Sequence, residues 1–238
     1  MYRLFLQSLL SDLIKISRKN FRLLNRYQGL NGIDKKLESY LDYNNGFFVE
    51  LGANDGISQS NTWYFEKYRQ WDGILIEPTP HKYLECKKNR RASTACCACV
   101  ATTPQSKDSE YVTLYLSDLM TIVDDTLNQI PRPMEHARLG LQYAEGDDVV
   151  PFGSKAKTLS TVLRELSAPP LMDLLSLDAE GMELEILKGL DHSAYRFKYV
   201  CIEVRDLPKV TNFLNERNYN LVTQLTSHDF LFENTQCI

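Results

Sequence analysis

No uninterrupted apolar stretch in these 238 residues approaches the roughly 20 that a membrane-spanning helix needs. The chain lacks paired C-x-x-C elements and lacks histidines at the set spacings that mark zinc sites. No G-x-G-x-x-G fingerprint follows an apolar run, which argues against a dinucleotide site. Internal repeats and low-complexity tracts are missing too. Basic charge is in slight deficit: 27 Lys and Arg against 31 Asp and Glu give a net charge of -4. Such a balance leaves no general electrostatic footprint for nucleic acid, so nucleic acid is not an expected partner. The first residues, Met1 to Leu6, run into Gln7, Ser8, Asp12 and Lys15, too interrupted for a signal peptide. Six cysteines, three of them crowded at Cys96, Cys97 and Cys99, read as buried reduced thiols. Together these absences predict an untargeted, cytoplasmic protein.

What is present is ordinary globular material, 43% hydrophobic and 24% charged. The length suits one α/β domain with a modest appendage. Residues 1–45 form the expected N-terminal helical extension. Between Leu4 and Leu24, Leu6, Leu9, Leu10, Leu13 and Ile14 recur at helical spacing, decorated by Arg3, Lys15, Arg18, Lys19 and Arg22. A basic amphipathic helix of this kind can pack on its own domain, build a homodimer, or make peripheral contact with an anionic membrane.

From Phe47 the pattern becomes α/β. Phe47–Leu51, Gly73–Glu77, Thr94–Ala101, Leu171–Leu177 and Tyr199–Val204 are near-continuous apolar runs, as in parallel strands covered on both faces. Stretches of helical periodicity separate most of them. Asp206 and Pro208 are suited to start the last helix. Tyr219–Thr226 and His228–Glu233 follow so closely that they predict an antiparallel hairpin. The rhythm is lost between about residues 104 and 158, which reads as an insert, a hairpin with a mobile loop over the active site. The expected fold is therefore a Rossmann-like sheet of seven mostly parallel strands, the last antiparallel, with helices on both faces, spanning residues 46–238.

Three strand ends carry candidate chemistry. The first opens into Glu50-Leu51-Gly52-Ala53-Asn54-Asp55-Gly56, where ligands bind in open α/β sheets. Its acidity would repel a diphosphate but suits the ammonium and sulfonium of S-adenosylmethionine. The second ends in Glu77-Pro78, whose carboxylate can accept from both ribose hydroxyls. The third is Asp178-Ala179-Glu180-Gly181-Met182-Glu183; its acids either cap the following helix or face the cofactor and acceptor. Glu203, one strand further, points toward the same crevice, so Asp178 and Glu203 are candidates to hold a proton or a divalent metal such as Mg. Asn61 and Ala101 complete the expected cofactor set.

These runs, with Thr158-Leu159-Ser160-Thr161-Val162-Leu163 and the continuation to Gly189, resemble the FkbM-type methyltransferases over about Phe47 to Glu233. The resemblance implies a class I methyltransferase fold and, usually, O-methylation of a sugar, polyketide or other secondary metabolite. It carries Glu50, Gly52, Asn54, Gly56 and Glu77 over as cofactor contacts and Asp178, Glu180 and Glu183 as an acidic signature. Ser160 departs from it, standing where an aspartate is common. The expected activity is thus S-adenosylmethionine-dependent O-methylation of a small hydroxylated acceptor, such as a sugar, nucleotide-sugar or secondary metabolite. Asp178 serves as base, assisted by Glu203 or His228. The alternatives are a non-catalytic scaffold recruited to a membrane by the basic helix and, from another class, a nicotinamide-dependent oxidoreductase.

Overall fold

The computed structural model describes residues 25–101, 111–142 and 148–237. The basic helix expected at Leu4–Leu24 lies outside the described residues. Helices α1 (Ile33–Glu38), α2 (Trp63–Arg69) and α3 (Pro80–Asn89) alternate with strands β1 (Phe47–Leu51), β2 (Asp72–Ile76) and β3 (Ser93–Ala95). The short strand β4 (Ala98–Cys99) leads to β5 (Tyr111–Leu116), β6 (Ile122–Val123), helix α4 (Pro133–Gly140) and β7 (Val150–Lys157). The chain then resumes its alternation through α5 (Leu159–Glu165), β8 (Leu171–Leu177), α6 (Glu183–Lys188), β9 (Arg196–Glu203) and α7 (Leu207–Asn215). It ends in the hairpin β10 (Tyr219–Gln224) and β11 (Asp229–Asn234).

Seven strands form the main sheet in the order β10-β11-β9-β8-β1-β2-β3. β11 runs antiparallel between β9 and β10, and the remaining pairings are parallel. Continuous apolar runs are required because side chains alternate between two covered faces. Val49, Leu51, Ile74, Ile76, Leu175 and Leu177 point into one core with Leu159, Val162, Ile186 and Val210 from α5, α6 and α7. Phe48, Leu75, Leu174 and Cys201 point into the other with Ile33, Leu37, Tyr64, Phe65 and Cys86 from α1, α2 and α3. Caps agree with the sequence. Asp206 accepts from the Lys209 amide with Pro208 in the first turn of α7, and Thr158 accepts from the Thr161 amide at the start of α5.

Two expectations are corrected. The run Thr94–Ala101 is not one strand: it bends at Cys96 and Cys97, and β4 leaves the main sheet to pair with β7. Small alanine and cysteine side chains fit a bend as well as a strand, so the available partner decides. The insert, expected as a hairpin and mobile loop, contributes in its described part three strands, β5, β6 and β7, that join β4 in a four-stranded sheet, β4-β7-β5-β6, with α4 beside it. All six cysteines are free thiols, and Cys86, Cys97, Cys99 and Cys201 are buried. No helix among the described residues is long and apolar enough to cross a membrane.

Candidate active site

The strand order reverses between β1 and β8, so their carboxyl ends diverge into a crevice. A cleft with about 830 Å³ of space between its walls, part of it open to solvent, lies there. Its floor is the turn after β1. Gly52 and Ala53 donate their amides to Ile76 O, pinning the turn to β2. Gly52 has φ +78°, and a Cβ on it would meet Asp178 O at 2.2 Å. Only glycine permits this approach of the β1 and β8 loops.

Glu77 stands beside this turn and is buried. Its Oε2 accepts from the Asn54 amide at 2.8 Å and its Oε1 from the Thr79 amide at 2.8 Å. The carboxylate is thereby fixed in orientation, with lone pairs left for a ligand. Burial raises its pKa, opposed by the hydrogen bonds from Thr79 and Asn54. Asn54, itself buried, keeps Oδ1 without a partner while Nδ2 donates to Asp118 Oδ1.

The insert closes the cleft on two sides. At one side Asp118, with φ +50°, takes the Asn54 amide group and pairs with Lys82 Nζ at 2.9 Å, and Ser154 Oγ donates to Pro78 O. At the other, His136 Nε2 lies 2.7 Å from Glu180 Oε2, and Asn128 Nδ2 donates to Glu180 O. Leu114, Thr121 and Val123 add an apolar and hydroxyl wall.

Beside the cleft wall, Asp178, Glu183 and Glu203 each bring a carboxylate oxygen within 4.8 Å of the others, and Asp178 is the one of the three that lines the cleft. Glu183 Oε1 accepts from the amides of Ala179 and Gly181, which is the capping role open to this acid, and its Oε2 has no partner. Asp178 is open to solvent on the cleft side but packed against protein on the rest. Burial first, then the charges of Glu203, Glu180 and Glu183, raise its carboxyl well above the usual range. Burial, followed by Glu180 and Glu183, pushes Glu203 up to about 8 against the pull of Arg205.

The Methyltransferase FkbM domain model matches residues 50–221. The chain belongs to the FkbM methyltransferase family. It is therefore a methyltransferase that depends on S-adenosylmethionine. Two solved structures are similar in outline. One is precorrin-6y C5,15-methyltransferase from Geobacter metallireducens, 11% identical over 84% of this chain and 86% of that one, with a TM-score of 0.43. The other is a SAM dependent methyltransferase from Aquifex aeolicus, 10% identical over 84% and 87%, with a TM-score of 0.40. No curated protein matches significantly.

Of the residues expected to contact the cofactor, the methyltransferase places Gly52, Asn54, Glu77, Pro78 and Asp178 in the cleft wall. Glu50 is not among them. Its carboxylate turns away into a buried network, accepting from Ser60 Oγ, Thr62 Oγ1 and the Asn61 amide, 3.6 Å from Arg90. Asn61 belongs to the same network and donates to Ser176 Oγ. Asp55 folds back on Ile57 and Ser58. Gly56 is a packing glycine whose Cβ would meet Arg90 Cγ at 2.7 Å. Ala101 is buried away from the cleft lining. Glu50, Asp55, Gly56 and Asn61 thus shape the turn and its supporting network, and they do not line the cleft. Among the expected catalytic groups Glu203 stands beside Asp178, whereas His228 is exposed in the β10–β11 turn. Ser160 does loop work at the place of the family's aspartate: it donates to Gly189 O and accepts from the Asp191 amide. Sequence reasoning missed Asp118, Lys82, Thr121, Cys97 and Cys99, which carry no motif and meet only through the insert's fold.

Proposed function

We propose that this methyltransferase is an O-methyltransferase whose acceptor is a hydroxyl of a small molecule, a sugar, nucleotide-sugar or secondary metabolite. The observation that carries it is Asp178: a carboxylate in the cleft wall beside Gly52, in the same cleft that Glu77 lines. The residues fit the methyl donor. Glu77, fixed by two backbone amides, suits a ribose diol; the unpartnered Asn54 Oδ1 offers a further acceptor to donor N–H or O–H groups; Gly52 lets the backbone approach. When bound, S-adenosylmethionine supplies an electrophilic methyl group: its C–S bond breaks, the electron pair leaving on sulfur, as the acceptor's O–C bond forms. Asp178 orients the acceptor hydroxyl and takes its proton as that bond forms. Leu114, Val123 and Met182 keep part of the wall dry, and the insert restricts entry.

The test is methyl transfer from labelled S-adenosylmethionine to a panel of sugars, nucleotide-sugars and polyols, with analysis of the product bond. A base-stable methyl ether is expected. Asp178→Asn should lower kcat by about 10²- to 10⁴-fold with donor affinity retained. Methyl ester or N-methyl product, or full activity in Asp178→Asn, would sink the proposal.

A further inference from the structure

The acidic cluster that adjoins the cleft at Asp178 and Glu180 is more than a set of helix caps. Five carboxylates, from Asp178, Glu180, Glu183, Glu203 and Asp229, gather there from the ends of β8, α6, β9 and β11. Among the described residues the basic side chains facing them are Arg205, whose Nη2 reaches Glu203 Oε1 at 3.0 Å and Glu180 Oε2 at 3.3 Å, and His136, whose Nε2 lies against Glu180. Neither group pairs with Asp178 or Glu183. Glu183 is 1% exposed, and with Oε1 already held by two amides its Oε2 is buried without a hydrogen-bond partner. A buried carboxylate oxygen with nothing to accept from costs stability unless a ligand completes it.

We propose that Asp178, Glu183 and Glu203 form a binding site for one hard divalent cation. Oxygen atoms about 2.0 to 2.6 Å from a common ion lie at most about 5 Å apart, and these three lie within 4.8 Å of one another. The donor set is all oxygen, which suits Mg²⁺, Mn²⁺ or Ca²⁺ and disfavours thiophilic metals. Three protein ligands leave positions for water and acceptor oxygens. The role of the ion rests on the methyl-transfer reading: bound to the acceptor hydroxyl it lowers that group's pKa. It also favours acceptors that present two adjacent oxygens, a vicinal diol or an α-hydroxy acid. Specificity would then come from chelation as well as from the insert.

The experiment titrates the full chain with Mn²⁺, following free Mn²⁺ by electron paramagnetic resonance, with Mg²⁺ as competitor and donor binding measured by calorimetry on the same samples. One Mn²⁺ per chain is expected, displaced by Mg²⁺, with affinity falling at least about tenfold in Glu183→Gln and Glu203→Gln. The Glu183→Gln amide oxygen still accepts from Ala179 and Gly181, so the loop keeps its cap. If that variant lacks a cooperative thermal transition, Glu203→Gln at the more open end supplies the reading. No binding up to about 1 mM Mn²⁺, or equal binding by the foldable variants, overturns the site. Donor binding without Mn²⁺ binding removes the cation and leaves the methyl-donor reading intact. Mn²⁺ binding without donor binding does the reverse.

Discussion

Replacing Glu77 by Gln tests the proposed donor site with almost no change in shape. Both carboxylate oxygens accept a backbone amide at 2.8 Å, from Asn54 and from Thr79. In Gln one of them becomes an NH₂ facing a backbone N–H, so one amide bond and the negative charge are lost together. Two ribose hydroxyls donating to a carboxylate contribute about 1.5 to 3 kcal/mol each, against about 0.5 to 1.5 for a neutral acceptor. The net loss, with one neutral bond surviving, is about 2 to 4 kcal/mol, or about 30- to 700-fold in Kd. Calorimetry with S-adenosylmethionine reads this directly. A donor analogue lacking one ribose hydroxyl separates contact from scaffold: against it the same substitution should cost about half as much free energy. An affinity unchanged in folded Glu77→Gln protein, or an equal loss for donor and deoxy analogue, would refute a ribose contact.

Glu50→Gln should act on the fold and not on the donor, because its charge is buried with Arg90. A loss of about 3 kcal/mol is expected, partly relieved by Glu66 at 3.0 Å from Arg90, with donor affinity per folded molecule nearly unchanged; a selective loss of affinity would contradict this placement. Gly52→Ala should abolish donor binding and lower the unfolding temperature, since its Cβ would meet Asp178 O at 2.2 Å; calorimetry and thermal scans check both. Acid stability should depend on Glu38. Burial pushes its carboxyl up, but hydrogen bonds from Tyr27, Tyr64 and Arg69 outweigh that and hold it down at about 2. A depressed carboxyl stabilises fully above its unfolded value near 4.5, and that contribution disappears as pH falls toward 2. The effect is on the order of 1 kcal/mol after solvent screening. Glu38→Gln should flatten the unfolding profile between those limits, and an unchanged profile would remove the assignment.

The alternation of apolar runs with helical stretches determined most of the doubly wound sheet of this methyltransferase. Strands covered on both faces are apolar at most positions, and Phe48 beside Val49 or Leu174 beside Leu175, each pair divided between the two cores, carry that pattern. The strand ends were equally legible, because Gly52, Glu77 and Asp178 each follow an apolar run and open-sheet topology gathers such ends at one edge. Identity of type did not determine direction. Glu50 and Glu77 end adjacent parallel strands, yet Glu77 faces the cleft while Glu50 turns to Ser60, Thr62 and Arg90. That difference is set by Arg90, at the end of α3, a partner 40 positions away that no local pattern announces. The break at Cys96 and Cys97, the insert's second sheet and the contacts of Asp118 with Asn54 and Lys82 are likewise long-range pairings. Local sequence states what a segment prefers, and only the assembled chain supplies the partner that decides which way a side chain turns.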